Sequence, residues 1–203
     1  MSTAKKSAVS EGVPAEDSRR AQLLESALGV FARFGYRKTS MDEVARAANV
    51  SRQGLYLHFA NKEDLFRATV RHTIGSSLAD AKRALAVEGA VLAERLRGAF
   101  HAWVGRYVGR FGADASDLMQ AAEGLLGTLV FDQEKLFVDA VAATLREAGL
   151  AAAYKPAGVT PRQLAENLCA TARGLKHSCD TQEEFEEAFA VAIRITCAPL
   201  VQD

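Results

Sequence analysis

From Ser18 onward, apolar residues return at steps of three and four, and no stretch alternates with the period of a strand. In the first helix, over 18–34, Leu23, Leu24, Ala27, Leu28, Phe31 and Phe34 make one apolar face, and Gly35 follows as a natural stop. A second helix starts at Ser40, where Ser40 and Glu43 have the spacing of a capping box, and Val44, Ala45 and Ala48 form its inner face. Asn49 ends it, because Asn tolerates the left-handed conformation better than most residues other than Gly. Val50 plugs the corner and Ser51 caps a third helix, Arg52 to about Phe59. Only Leu55 and Phe59 of that helix point inward at i and i+4. Two turns are not stable alone, so the other helices must hold it.

Six longer segments follow. Asn61 caps a fourth helix that reaches the mid 80s, with an acidic first turn that suits the helix dipole. A fifth spans about 89–111, and further helices are predicted over 116–126 and 129–148. Residues 151–159 read as a loop. Thr160-Pro161-Arg162-Gln163 starts an eighth helix running to about Lys176, and Thr181 with Glu184 starts a ninth that runs to Ala198. The fold class predicted is all-α, with about nine helices. A flexible arm (1–17) precedes a helix-turn-helix head (18–60) and a helical effector-binding and dimerisation domain (61–203).

The ninth helix is apolar on most of its circumference past the first turn, so it needs cover on more than one side. The eighth carries Ala170 and Gly174 at i and i+4, a strip of small residues that permits close packing. Both are expected to pair with their symmetry mates as a four-helix bundle, through Ala170, Gly174, Phe185, Phe189, Ala192 and Ile193.

Composition adjusts this picture in two places. Lys+Arg and Asp+Glu balance at 25 each, which by itself gives no reason to expect a nucleic-acid partner. The balance is uneven, however: residues 1–72 hold 12 basic against 8 acidic residues, and the remainder holds 13 against 17. A basic head on an acidic body suits a DNA reader whose body avoids DNA. The 3 cysteines are odd in number and widely spaced, so a reduced, cytoplasmic setting is expected, without a disulfide framework. No apolar run approaches the ~20 residues of a membrane span. No phosphate loop, nucleophile elbow, metal motif or paired carboxylates argue for an enzyme, and no cofactor or metal is expected.

The carriers Phe31-Ala32-Arg33-Phe34-Gly35-Tyr36, Thr39-Ser40-Met41, Val44-Ala45, Ala48, Val50-Ser51, Leu55-Tyr56, His58-Phe59 and Lys62-Glu63-Asp64-Leu65 resemble the DNA-binding head of the tetracycline-repressor (TetR) family. The resemblance covers about residues 19–66. Two departures are Leu55, beside Gly54, where many members have Thr, and Asn49, where Gly is common. The resemblance implies a homodimeric transcriptional regulator, most often a repressor. Its third helices would enter successive major grooves of a pseudo-palindromic operator, and a small-molecule effector would release it.

By residue type, Arg52 can read guanine and Gln53 adenine, while Gly54 lets the backbone approach. Tyr56 and His58 resemble the family's phosphate contacts, and Lys62 suits an anion at a helix N-terminus. Thr39 is a further candidate at the start of the second helix; Ser40 is equally well a phosphate contact or purely a cap. In the body, Phe100, Trp103, Tyr107, Met119, Phe131 and Phe137 are candidates for an apolar effector pocket, although an aromatic stripe at this spacing equally describes core.

Overall fold

The computed structural model describes residues 15–110 and 115–200, and the side chain of Met119 lies outside that description. Among the described residues every regular element is helical. The α-helices are α1 (Ala15–Lys38), α2 (Met41–Ala47), α3 (Arg52–His58), α4 (Lys62–Leu85), α5 (Leu92–Trp103), α6 (Ala115–Leu126), α7 (Leu129–Glu147), α8 (Leu150–Ala153), α9 (Pro161–Ser178) and α10 (Gln182–Cys197). The eighth and ninth helices expected from sequence are therefore α9 and α10. The expected arm lies mostly outside the described residues, and α1 already covers Ala15–Asp17.

The start signals act as their chemistry requires. The side chains of Ser40, Ser51, Asn61, Thr160 and Thr181 each accept the N3 amide of the helix that follows. At Ser40, Thr160 and Thr181 the N3 Glu or Gln returns the bond, completing three capping boxes. Asn49 takes the left-handed conformation, with φ of 54°. Gly35 adopts φ 79° and ψ 168°, which kinks α1 without ending its helical turns, and these continue to Lys38.

Two regions depart from expectation. The fifth helix stops at Trp103, followed by a single 3-10 turn over Gly105–Tyr107, because α10 and its leading turn press against this segment. A Cβ on Gly105 would meet the Phe185 ring at 3.1 Å, and one on Gly109 would meet the Asp180 carbonyl oxygen at 2.7 Å. The apolar period of the fifth helix runs on, but the backbone cannot follow it there. The 151–159 loop in turn holds the four-residue α8 and a 3-10 turn, Lys155–Ala157.

Side chains gather into two cores. The first joins α1–α3 to the start of α4 through Leu65 and Phe66, and to α6 through Leu118, Ala122 and Leu126. The second draws on the far half of α4 (Leu78, Ala81, Leu85) with α5, α7, α8, α9 and α10. Helix α4 thus serves both. Phe185, Phe189 and Ile193 lie in the second core at 1%, 2% and 3% exposure, so they hold α10 to its own chain and do not face a second copy. The outward side of the α9–α10 pair instead carries Ala170 and Gly174, both exposed, with Val191 (44% exposed) and Ile195 (66%). Ala192 sits half-buried at the margin.

Candidate nucleic-acid interface

Helix α3 is seven residues long and rests on two side chains, Leu55 and Phe59, both wholly buried. Leu55 therefore faces the head core. Away from these two, Arg52, Gln53, Tyr56 and Leu57 are exposed together, and His58 is exposed further round, on the last residue of α3. Leu57, at 81% exposure, was not among the residues expected to act; nothing in the periodicity sets it apart from a solvated position. Gly54 is half-buried, and its amide donates to Ser51 Oγ at 2.9 Å. A Cβ there would come within 3.1 Å of that same oxygen, so the glycine keeps the cap tight.

Arg52 is held on two sides. Its Nη1 donates to Asp42 Oδ2 at 3.1 Å, and its guanidinium lies 5.6 Å from the centre of the Tyr56 ring. Ser40 is exposed, but its hydroxyl donates to Glu43 Oε2 at 2.8 Å while accepting the Glu43 amide. The Ser40 hydroxyl and amide together hold the Glu43 carboxyl below its ordinary range. Ser40 has one proton to donate, and it is directed to Glu43.

Two of the expected phosphate contacts turn inward instead. Thr39 is 2% exposed, and its hydroxyl donates to the Gly35 carbonyl at 2.7 Å. Lys62 Nζ donates to the carbonyls of Tyr36 (3.0 Å) and Arg37 (3.1 Å) and stands over the Tyr36 ring. The kink at Gly35 takes carbonyls at the end of α1 out of the regular ladder, and these two side chains satisfy them. Both residues thus fasten α1 to α2 and α4, and Asn61, not Lys62, caps α4. The glycine stop in the sequence already implied carbonyls in need of donors. A cation that sequence reading did not single out is Arg20, whose guanidinium lies 5.2 Å from the Phe59 ring, near the end of α3.

The head meets the body at the tail of α1. The Arg37 amide donates to Asp117 Oδ2 at 2.9 Å, its Nε lies 3.2 Å from Asp117 Oδ1, and its Nη2 donates to Gln120 Oε1 at 3.2 Å. An open cleft of about 310 Å³ borders this bridge, between Tyr36 and Leu125. Burial raises the Tyr36 phenol above its usual pKa.

The aromatic candidates of the body separate. Phe100 and Phe137 are wholly buried with ring centres 5.0 Å apart, Trp103 stacks on Phe137 at 4.9 Å, and Phe189 closes on Phe100 at 4.6 Å. These rings fill one another's space and leave no room between them, so Phe100 and Phe137 are packed core. Tyr107 is half-buried, with its hydroxyl 2.7 Å from Ser77 Oγ. Phe131 is 69% exposed on the first turn of α7 and belongs to no core cavity. Met119 falls outside the described side chains. Burial pushes the Cys169 thiol up to about 12 and raises that of Cys197, which makes both poor nucleophiles at neutral pH. Among the described residues, no group of three or more His, Cys, Asp or Glu is placed to hold a metal ion.

Residues 23–69 match the family model described as bacterial regulatory proteins, tetR family. Curated relatives share this region. The HTH-type transcriptional activator FasR of Mycolicibacterium smegmatis is 39% identical over 69 residues, 34% of this chain and 32% of its own. The probable acrEF/envCD operon repressor of Escherichia coli (strain K12) is 47% identical over 47 residues, 23% and 21% of the two chains. These matches span a third or less of the relatives' length. Solved structures extend the likeness to the whole fold. A putative TetR-family transcriptional regulator from Mesorhizobium loti superposes with a TM-score of 0.65 at 17% identity, over 92% of this chain and 98% of the other. The regulatory protein TetR from Rhodobacter sphaeroides gives 0.65 at 19%, over 87% and 97%.

Proposed function

Because the chain belongs to the TetR family of bacterial transcriptional regulators, we propose that it is a homodimeric repressor that grips a pseudo-palindromic operator through α3 and releases it when a small molecule enters the body. The observation that carries this reading is that Arg52, Gln53 and Tyr56 are exposed together on a short helix whose inner side is locked by Leu55 and Phe59, with His58 exposed at its last residue. Arg52 and Gln53 read base edges, and Tyr56 and His58 donate to phosphate oxygens. Arg20 adds a charge at the end of α3. Ser40, Gly54, Thr39 and Lys62 act one step back, by setting how α2 and α3 are held. The two-fold contact forms on the outward side of α9 and α10, where Ala170 and Gly174 allow close approach and Val191 and Ile195 supply apolar area. Of the aromatic candidates, the half-buried Trp103 and Tyr107 are the ones an effector could reach if the body opened around them.

Two named relatives carry opposite signs, activation and repression, and repression is the sign proposed here. The chain acts in the cytoplasm; among the described residues no helix is long and apolar enough to cross a membrane. The test is a mobility-shift titration on duplexes selected from a randomised pool. Wild type is expected to bind with an affinity that falls steeply as salt rises. Tyr56→Phe is expected to weaken binding by about a hundredfold or more, since a hydrogen bond to a charged group contributes ~1.5–3 kcal/mol and the dimer loses two. A folded protein that shifts no duplex at low salt refutes the reading. A promoter-reporter assay fixes the sign.

A further inference from the structure

The structure assigns Asp42 as the positioning residue that aims Arg52 at guanine, and so makes Asp42 a determinant of operator sequence. This inference rests on α3 being the DNA-reading helix.

Asp42 is an exposed anion beside Arg52, where the phosphates of a DNA bound by α3 would repel it. Its neighbour Glu43 makes the capping box, so Asp42 is not the cap of α2, and its carboxylate adds only the modest interaction of a first-turn acid with the helix N-terminus. Nor does it do much for the fold. The Asp42–Arg52 pair leaves 53% and 64% of the two side chains exposed, and ion pairs that exposed contribute little to stability. A carboxylate placed against DNA, with little stability in return, has another use available to it.

The geometry points to orientation. Asp42 occupies Nη1, and the Tyr56 ring lies alongside the guanidinium. A guanidinium carries five donors in a fixed fork, so Nε and Nη2 keep the parallel pair that meets guanine O6 and N7. An Arg anchored at one end loses less side-chain freedom on docking. An Arg already paired with a carboxylate is also a poor counterion for phosphate, because the pair is close to neutral. Both effects move Arg52 away from indiscriminate backbone contact and toward a base edge.

The experiment uses the full-length protein and the duplex that wild type selects from a randomised pool, together with versions in which single guanines are replaced by 7-deazaguanine, which lacks the N7 acceptor. Wild type is expected to lose about fivefold or more in affinity at one guanine per half-site, by the discrimination of a bidentate Arg pair. Arg52→Ala should be indifferent to that replacement. Asp42→Asn should lose most of the discrimination at that guanine and at no other, yet bind a random duplex as tightly as wild type or more so. Asp42→Glu should restore part of the discrimination. Because the pair is exposed, the melting temperature of Asp42→Asn should match wild type. A merely structural role for Asp42 would weaken selected and random duplexes alike, and that result overturns the inference. So does an Asp42→Asn protein that keeps the wild-type guanine ratio. A wild-type protein that selects no duplex at all removes the DNA reading itself, which is a separate and recognisable failure.

Discussion

Replacing Ile195 with Asp tests the proposed two-fold contact. Ile195 is 66% exposed on the last turns of α10, while its neighbour in sequence, Thr196, faces the core. Full burial of an aliphatic side chain stabilises by ~1.5–3 kcal/mol, so the two-thirds still exposed offers ~1–2 kcal/mol to a partner. A two-fold interface uses each residue twice, so the loss is about 2–4 kcal/mol per dimer, or roughly 30- to 1000-fold in the dissociation constant. Two buried carboxylates add to this, so the lower figure is a floor. Sedimentation equilibrium from nanomolar to micromolar concentration measures it directly. Val87→Asp is the control: Val87 is also exposed, at 51%, but lies just beyond α4, away from α9 and α10. It should leave self-association unchanged. The isolated fold should tolerate Ile195→Asp, so its helical circular dichroism should match wild type. Self-association of Ile195→Asp within threefold of wild type would falsify the placement of the interface on this face.

Two further outcomes follow from the packing. Gly109→Ala forces a Cβ against the Asp180 carbonyl at a φ of 72°, and should destabilise by about 2 kcal/mol, lowering the melting temperature by roughly 5 °C in a thermal scan; an unchanged midpoint would mean that the turn before α10 yields freely. Cys169 is held protonated by burial, with its thiol pushed from an ordinary value of 9.0 up to about 12. The folded state therefore binds that proton more tightly than the unfolded state does. Its contribution is complete below pH 9 and is lost as pH rises toward 12, so denaturant titrations should show an alkaline decline that Cys169→Ala reduces. An identical decline in both proteins would assign it to other groups.

Local chemistry made much of the head legible. The starts of α2, α3, α4, α9 and α10 were written in side chains that bond to amides three residues away, and Asn49 marked its own left-handed turn. Such signals need no knowledge of the rest of the chain. What sequence could not settle were choices between partners far apart. The end of α5 depends on Phe185 and Asp180, some 80 residues on, and neither alters the apolar period before Trp103. The ninth helix was apolar on three sides, and periodicity alone could not choose which side meets its own core. Phe185, Phe189 and Ile193 took that side because they complete the ring cluster around Phe100. The inward bonds of Thr39 and Lys62 escape the sequence for a related reason. Both are polar and lie within the head motif, but the kink at Gly35 gives them carbonyls to bind. Leu57 was overlooked because an exposed leucine has no periodic signature.

The sharing of α4 between two cores has a practical consequence for building hybrid regulators. A cut at residue 60, two residues past α3, would strip Leu65 and Phe66 from beneath α1 and leave Leu118, Ala122 and Leu126 of α6 without their cover. The excised head would present a raw apolar floor and would be prone to aggregate. A graft that transplants this head onto another body must carry the first turns of α4. It must also match the surface of α6, with Arg37 and Asp117 exchanged as a pair. The smallest portable unit is thus discontinuous in sequence, and a fusion point chosen from the motif alone would fall inside it.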